Sequence, residues 1–479
     1  MTFSRALYIF LTIFCSLVSL SKTRAEKPNF IIIFADDQGY QDLGCFGSPD
    51  IKTPHVDRMA KEGMRFTSFY AQTVCGPSRA ALMTGCYPLR VAQFQNRVEV
   101  HPRLHSNEIT IAEILKAEGY ATSAYGKWDL AGHTQTAYTQ KLLPTHQGFD
   151  EFFGTPTSND SIANLIRNEK VIEKKADMSL LTRRYTDDAI DFIKRNKEKP
   201  FFVYLAHTMP HIKIAASEEF RGKSARGLYG DVIEELDANV GRILDTLKQE
   251  ELSENTYVIY TSDNGPWYLG HSPGHLKRIG KNAVDHGGSA LPLRGAKTSM
   301  WEGGFRVPCI VWAPGKTPAG TVCHEVASTL DMLPTLANLA GAKVPTDRVI
   351  DGHDISSLIH GVEGAKSTTD AFYYYARTKL RAVRAGRWKL HIPAAVDARW
   401  KNFSKPNDAA AIKEPLLFDL ETDLSEKQNL ADQHPEVVTE LMRLIKHARN
   451  DIGDVDRIGK NARFFDPQPK RPDIRKPKQ

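Results

Sequence analysis

The body of this chain has no apolar run long enough to cross a membrane. Its one extended apolar stretch, Ala6 to Leu20, sits at the N-terminus behind Arg5 and is shorter than a bilayer span. Followed by Ser21-Lys22-Thr23-Arg24-Ala25, it reads as a secretory leader over residues 1–25 with cleavage after Ala25. No membrane anchor is expected, and Phe14 ahead of Cys15 does not suit lipoprotein processing. The predicted location is secreted or periplasmic. A strong excess of one charge is missing too. The formal net charge is +6 over 479 residues, and the leader removes Arg5, Lys22 and Arg24 with no acid. That balance argues against nucleic acid as a partner. Lys and Arg gather only in the Pro-containing tail from Arg457 to Gln479, which suits a solvated end or a basic lip beside a polyanion. Cysteine is scarce. Of six, Cys15 leaves with the leader, and Cys45, Cys86, Cys309 and Cys323 could form up to two disulfides in an oxidising compartment. The spacings do not suit zinc, and no internal repeat is present.

What is there is an ordinary globular composition, 41% hydrophobic and 25% charged. The length allows a large domain and a smaller one, placed at 26–365 and 366–479. Asn29 to Ala35 is a continuous apolar, β-branched run, as in a parallel strand buried on both faces. Thr53 and Pro54 open a helix to Glu62, with Gly63 beyond it. Thr110 to Glu118, Leu181 to Arg195 and Asp231 to Glu250 read as helices. Ala121 to Tyr125, Phe201 to Ala206, Tyr257 to Thr261 and Val307 to Trp312 read as strands. The alternation predicts an α/β fold with a large, mostly parallel sheet sandwiched by helices. Past about residue 365 the texture changes. Ala371 to Tyr375, Leu380 to Arg384, Trp388 to Ile392 and Leu417 to Leu420 are short strands before a helix at Pro435 to Arg449. They predict a small α+β subdomain with a short antiparallel sheet.

The most informative segment is Cys75-Gly76-Pro77-Ser78-Arg79, followed by Leu82-Met83-Thr84-Gly85. Ser78 can cap a helix over Arg79 to Thr84 and Gly85 can end it. Cys75 then lies at a helix N-terminus, where backbone N–H groups favour an anion. A reactive group there, with an arginine one turn away, suits attack on a phosphate or sulfate ester. Two acids, Asp36 and Asp37, follow the first strand, and Asp263 and Asn264 follow the strand at Tyr257 to Thr261. Ligands of open α/β sheets gather at the carboxyl ends of strands, so the two pairs can meet around one hard cation. Three carboxylates and an amide point to Ca²⁺ over Zn²⁺, with Mg²⁺ less suited.

These residues carry a resemblance. Cys75-x-Pro77-Ser78-Arg79 with Thr84-Gly85 resembles the signature of the type I, formylglycine-dependent sulfatases, arylsulfatase-like members of the alkaline phosphatase superfamily. Phe34-Ala35-Asp36-Asp37-Gln38-Gly39-Tyr40 and Thr261-Ser262-Asp263-Asn264-Gly265 are similar to that family's metal-binding blocks. The likeness extends to Arg381 through His391 and to Leu417 through Ser425. It implies oxidation of Cys75 to 3-oxoalanine (Cα-formylglycine) by a formylglycine-generating maturation enzyme. It also implies that the hydrated aldehyde attacks sulfur, with Cys75 counted among the metal ligands beside Asp36, Asp37, Asp263 and Asn264. Lys127 in Gly126-Lys127-Trp128 and Lys297 in Leu293-Arg294-Gly295-Ala296-Lys297 match lysines that bind the sulfate oxygens. His211 matches the histidine that protonates the leaving oxygen, and Arg79 would hold the formylglycine hydrate.

The chain departs from the family at one point. Gly-Lys-x-His is usual there, and this chain has Asp129 in place of the histidine, with His133 four residues on. Either could take over the role. The reading is a sulfuric ester hydrolase acting on a sulfated polysaccharide or oligosaccharide. A phosphonate monoester or phosphodiester hydrolase of the same superfamily is one alternative, and a catalytically weak sulfated-glycan-binding protein is another. Arg90, Arg97, His101, His105, His271, His275 and His286 are candidates to read neighbouring sugars, His286 foremost through the Gly270 to Gly288 loop.

Overall fold

The computed structural model describes residues 27–91, 104–135, 137–160, 162–267, 287–395 and 410–463. The expected leader, Arg97, His101, His271, His275, His286 and the end of the basic tail lie outside the described residues. Among the described residues no helix is long and apolar enough to cross a membrane.

The framework is one large sheet. At its centre lie parallel strands β1 (Asn29–Ala35), β3 (Ala121–Lys127), β4 (Glu151–Thr155), β7 (Phe201–Ala206) and β8 (Thr256–Ser262), ordered β8-β1-β7-β3-β4. β1 is wholly buried along its length, which explains its unbroken apolar sequence. Alternate side chains feed two cores. Phe30, Ile32 and Phe34 join Ala80, Leu82 and Met83 of the helix Cys75–Thr84 and Leu333 and Leu336 of the helix Met332–Ala340. Ile31 and Ile33 join Leu181 and Tyr185 of the helix Leu181–Arg195 and Val240 and Ile243 of the helix Leu228–Gln249. Helices therefore cover both faces, as the alternating pattern requires.

The sheet is mixed towards its edges. β9 (Arg306–Trp312) runs antiparallel between β8 and β2 (Met64–Tyr70), and β5 (Leu165–Arg167) and β6 (Lys170–Glu173) extend the other side as an antiparallel hairpin. The short strands β10 (Thr321–Cys323) and β11 (Ala327–Ser328) pair parallel with β2. The C-terminal region folds as predicted. A four-stranded antiparallel sheet comprises β12 (Phe372–Ala376), β13 (Lys379–Ala385), β14 (Trp388–His391) and β15 (Leu416–Asp419), and the helix Pro435–Asp451 packs on it.

Three local expectations are corrected. Ser78 caps no helix: the helix begins at Cys75, and Ser78 lies inside its first turn with Oγ accepting from the Gln72 N–H. Thr53 makes no side-chain cap. Asp237, from the helix Leu228–Gln249, accepts from the N–H groups of His55 and Val56 instead and ties two helices together. The described cysteines are all free thiols. Cys309 and Cys323 both lie opposite Phe66, on strands either side of β2. Two strand spacings, roughly 9.5 Å, exceed the reach of a disulfide.

Candidate active site

Parallel strands in register end along one edge, and that edge gathers the site. Ala35 pairs with Ser262, Phe34 with Ala206 and Gly126 with Ala206. The residues just beyond are Asp36 and Asp37 after β1, Asp263 and Asn264 after β8, His207 to His211 after β7, and Lys127 ending β3. Asp37 adopts a left-handed φ of 69°, and its N–H donates to Asp263 Oδ1 at 3.0 Å. After glycine, short polar side chains such as aspartate tolerate that conformation best. Gly126 is required by contact: a Cβ there would lie 1.8 Å from the Ala206 carbonyl oxygen, and its φ is 104°.

Cys75 enters from the first turn of its helix. Its Sγ lies 3.1 Å from Asp36 Oδ1 and 3.2 Å from Lys297 Nζ. Arg79, one turn on and fully buried, donates to the Lys127 carbonyl at 2.5 Å and to Asp263 Oδ2 at 3.1 Å, and lies 3.4 Å from Asp36 Oδ2. Lys127 Nζ is 2.5 Å from Asp36 Oδ2, and Lys297 Nζ is 2.5 Å from Asp37 Oδ1. Trp267 walls the site, its ring centroid 4.8 Å from Lys297 Nζ. Asp36, Asp37, Asp263, Asn264, Arg79, Lys127, Lys297 and His211 are all buried.

The electrostatics follow from packing three carboxylates and three cations into one buried nest. Burial would raise the Asp36 carboxyl, but Lys127, His211 and Arg79 hold it well below the carboxylate range. Burial pushes Asp37 up, and burial with the neighbouring Asp36 charge lifts Asp263 to about 6. Burial, aided by Asp263 and Asp36, drives the Cys75 thiol well above its usual value. As a plain cysteine it is a protonated thiol and a poor nucleophile. Burial would lower Lys127 and Lys297, yet the facing Asp36 and Asp37 keep both charged.

The donor chemistry fits a hard divalent cation. Ligand atoms of Asp36, Asp37, Cys75 and His211 lie within 4.8 Å of one another. Asn264 Oδ1, fully buried, has no hydrogen-bond partner among the described residues, while Asn264 Nδ2 donates to Asp37 Oδ1 at 2.6 Å. An orphaned amide oxygen beside oxygen-rich acids, two of them raised, is what an added cation would relieve.

His211 Nδ1 is 2.6 Å from the Ile212 carbonyl, which leaves Nε2 to face Asp37 and Asp160. Nε2 lies 3.6 Å from Asp37 Oδ2 and 3.5 Å from Asp160 Oδ1. Burial and Lys127 lower the His211 pKa. Asp160, which sequence reasoning missed, also places Oδ2 3.5 Å from His133 Nε2, and His133 Nδ1 is 3.8 Å from Asp129 Oδ1. Both candidates for the missing histidine therefore lie in one chain of groups ending at His211. The strand-end rule finds Asp160 once β4 is recognised as a strand. The two described sugar-reading candidates, Arg90 and His105, are not part of this nest. Arg90 is buried against Asp351 and Asp451, and His105 is buried with Nδ1 accepting from the Asn107 N–H.

Known proteins share this arrangement at the level of sequence and fold. Residues 28–342 match the family model described as Sulfatase, and residues 367–471 match the C-terminal region of aryl-sulfatase. N-acetylgalactosamine-6-sulfatase of Canis lupus familiaris is 35% identical over 463 residues, covering 88% of this chain and 84% of that protein. Arylsulfatase A of Bos taurus is 36% identical, covering 88% and 87%. Among solved structures, Ps i-CgsB in complex with k-i-k-neocarrahexaose superposes with a TM-score of 0.71 at 28% identity, covering 88% of this chain and 92% of that one.

Proposed function

The chain belongs to the sulfatase family of sulfuric ester hydrolases, and from that premise we propose that it removes sulfate from a sulfated carbohydrate, with oxidised Cys75 and a divalent cation in the nest at the strand ends. The observation that carries the proposal is the meeting of Cys75, Arg79, Lys127 and Lys297 with Asp36, Asp37 and Asp263 in one buried pocket.

Oxidation of Cys75 to formylglycine by a maturation enzyme would supply a hydrated aldehyde, a nucleophile the buried thiol cannot provide. Asp36, Asp37, Asp263 and Asn264, with the modified residue 75, would hold Ca²⁺, whose charge favours an ionised nucleophile and neutralises sulfuryl oxygens. The chain's own groups do the rest. Lys127 and Lys297 bind the sulfuryl oxygens, where charge grows in the transition state. Arg79 fixes the acids and faces residue 75. His211, anchored through Nδ1, presents Nε2 to the leaving oxygen and donates its proton there. Its lowered pKa is raised again by the anionic ester. Asp129 or His133 assists product expulsion in place of the usual histidine.

The carbohydrate reading rests on the leader at residues 1–25, which would send the protein out of the cytoplasm, and on the relatives. One is named for an N-acetylgalactosamine sulfate, and a structural neighbour holds a neocarrahexaose. Two measurements test the proposal. Peptide mass spectrometry of protein from its native host should show residue 75 as the aldehyde. Sulfate release should then be seen from sulfated galactan or glycosaminoglycan oligosaccharides. An unmodified Cys75 in native protein sinks the mechanism. A phosphonate ester turned over while every sulfated sugar is left intact sinks the substrate class.

A further inference from the structure

Lys297 sits on a segment that is not a helix or strand, yet its ammonium must be placed to a fraction of an ångström. On the site side, among the described residues, two backbone bonds hold it: the Lys297 N–H donates to the Pro266 carbonyl at 2.8 Å and the Thr298 N–H to the Thr73 carbonyl at 3.3 Å. Thr298 carries a left-handed φ of 72°, a conformation a β-branched residue resists. A turn bond from the Ser299 N–H to the Ala296 carbonyl at 3.0 Å shapes the segment locally without anchoring it to the sheet.

The opposite side of the segment is gripped by the C-terminal sheet. Glu426, which follows β15, is fully buried and accepts the Glu302 N–H through Oε2 at 2.7 Å. Its Oε1 lies 2.9 Å from Lys389 Nζ and 2.9 Å from His391 Nε2, both on β14 and both fully buried. Lys389 Nζ also donates to the Met300 carbonyl at 3.0 Å and to Glu302 Oε1 at 2.9 Å. The Glu426 carbonyl accepts from Arg294 at 3.1 Å, Ser425 Oγ donates to the Pro292 carbonyl at 2.7 Å, and the Trp301 ring lies 4.6 Å from that of His391. The grip spans residues 292 to 302, with Lys297 at its middle. Glu426 itself has φ 51°, a left-handed conformation that a residue other than glycine adopts at a cost.

Buried ion pairs of this kind add little stability over an apolar filling of the same volume. What they fix is geometry. We propose that Glu426 is a positioning residue for Lys297: the C-terminal sheet clasps the 292–302 segment through Glu426 and Lys389 and thereby sets where the Lys297 ammonium meets the sulfuryl group. The inference rests on Lys297 being a sulfate ligand. A misplacement of about 1 Å in such a group costs on the order of 10²-fold in rate, so partial loosening should cost roughly tenfold.

The test compares Glu426→Gln, Lys297→Ala and the double variant on the matured enzyme with a sulfated oligosaccharide, with inorganic sulfate as competitive inhibitor. Gln can accept from the Glu302 N–H or from Lys389, but not both well, while Lys389 keeps Glu302 as its counter-charge. Glu426→Gln should lose roughly tenfold in kcat/KM, and sulfate should inhibit it more weakly by a similar factor. The double variant should be no worse than Lys297→Ala alone, because coupled groups are not additive. Should Glu426→Gln fail to fold, Ser425→Ala, which removes only the bond to Pro292, reads the same coupling with a smaller, roughly threefold loss. Full kcat/KM in the single variant, or losses that multiply in the double, overturns the clasp and leaves the Lys297 assignment standing. Undiminished turnover in Lys297→Ala overturns that assignment and the clasp with it.

Discussion

Gly126→Ala should disable this enzyme although residue 126 contributes no side chain to the proposed site. Gly126 pairs with Ala206 of β7 on one side and Gly154 of β4 on the other. An added methyl would lie 1.8 Å from the Ala206 carbonyl oxygen, a backbone atom that cannot swing aside. The strands would have to part by more than about 1 Å to restore van der Waals contact. Alanine at a φ of 104° adds strain of about 1–3 kcal/mol. Overpacking between strands adds a similar amount. The total, roughly 2–6 kcal/mol, is a large share of the 5–15 kcal/mol typical of a folded protein. A catalytic loss of similar size follows. Lys127 follows directly, and the 207–211 segment leads from Ala206 to His211, so both are displaced together. Displacement of about 1 Å predicts a fall in kcat/KM on the order of 10²-fold. The assay is sulfate release at a temperature where circular dichroism shows the variant folded, beside its thermal midpoint. A folded Gly126→Ala that keeps kcat/KM within about threefold of the parent would refute the claim that strand spacing sets the site.

Chelation should lower both turnover and the thermal midpoint, with recovery on adding Ca²⁺. At a hundredfold excess over its dissociation constant a bound ion contributes about 2.7 kcal/mol, and an unchanged midpoint after exhaustive chelation would count against the metal assignment. Asp237 gives a pH test on a carboxyl outside the site. Burial lifts its carboxyl to about 7 despite bonds from Val56 and His55. A carboxyl raised in the folded state contributes stability in full below its unfolded value of 3.8 and loses it as pH rises to about 7. At about 1.36 kcal/mol for each pH unit of that window, the loss comes to about 4 kcal/mol. Asp237→Asn should flatten the stability profile between pH 4 and 7, and a profile parallel to the parent's would refute this. Asp129→Asn and His133→Asn test the family departure. The replaced base should cost 10²-fold or more in at least one of them, and full turnover in both excludes either from that role.

Much of the framework was legible because burial on both faces leaves its mark on composition. The helix Leu181–Arg195 and the strand Phe201–Ala206 have the bounds their sequences suggest. β2 was not legible, since Arg65, Thr67 and Ser68 interrupt its apolar residues, nor was the short hairpin of β5 and β6. Helix starts also misled. Ser78 has a capping residue's chemistry, but the helix begins earlier with no side-chain cap, and α-helix Pro54–Glu62 takes its cap from Asp237, far along the chain.

The site was legible in the same uneven way, and the reason is physical. Asp36, Asp37, Asp263 and Asn264 announce themselves because each polar pair follows a strongly apolar strand, where a buried run must turn. Asp160 follows β4, whose aromatic, glycine-containing sequence gives a weaker signal, so the residue does not stand out. Glu426 lies just past the Leu417 to Ser425 block and carries no signal of its own. Its partners Glu302, Lys389 and His391 are brought to it only by packing of the C-terminal sheet against the segment that carries Lys297. Most of the groups proposed to hold a metal or a sulfate follow strand ends or start a helix, and Lys297, on an irregular segment, still sits in a short local motif, so short motifs can record them. Residues that hold those ligands in place need only reach the right segment from any direction. They are therefore scattered through the chain, and a structure finds them where a motif does not.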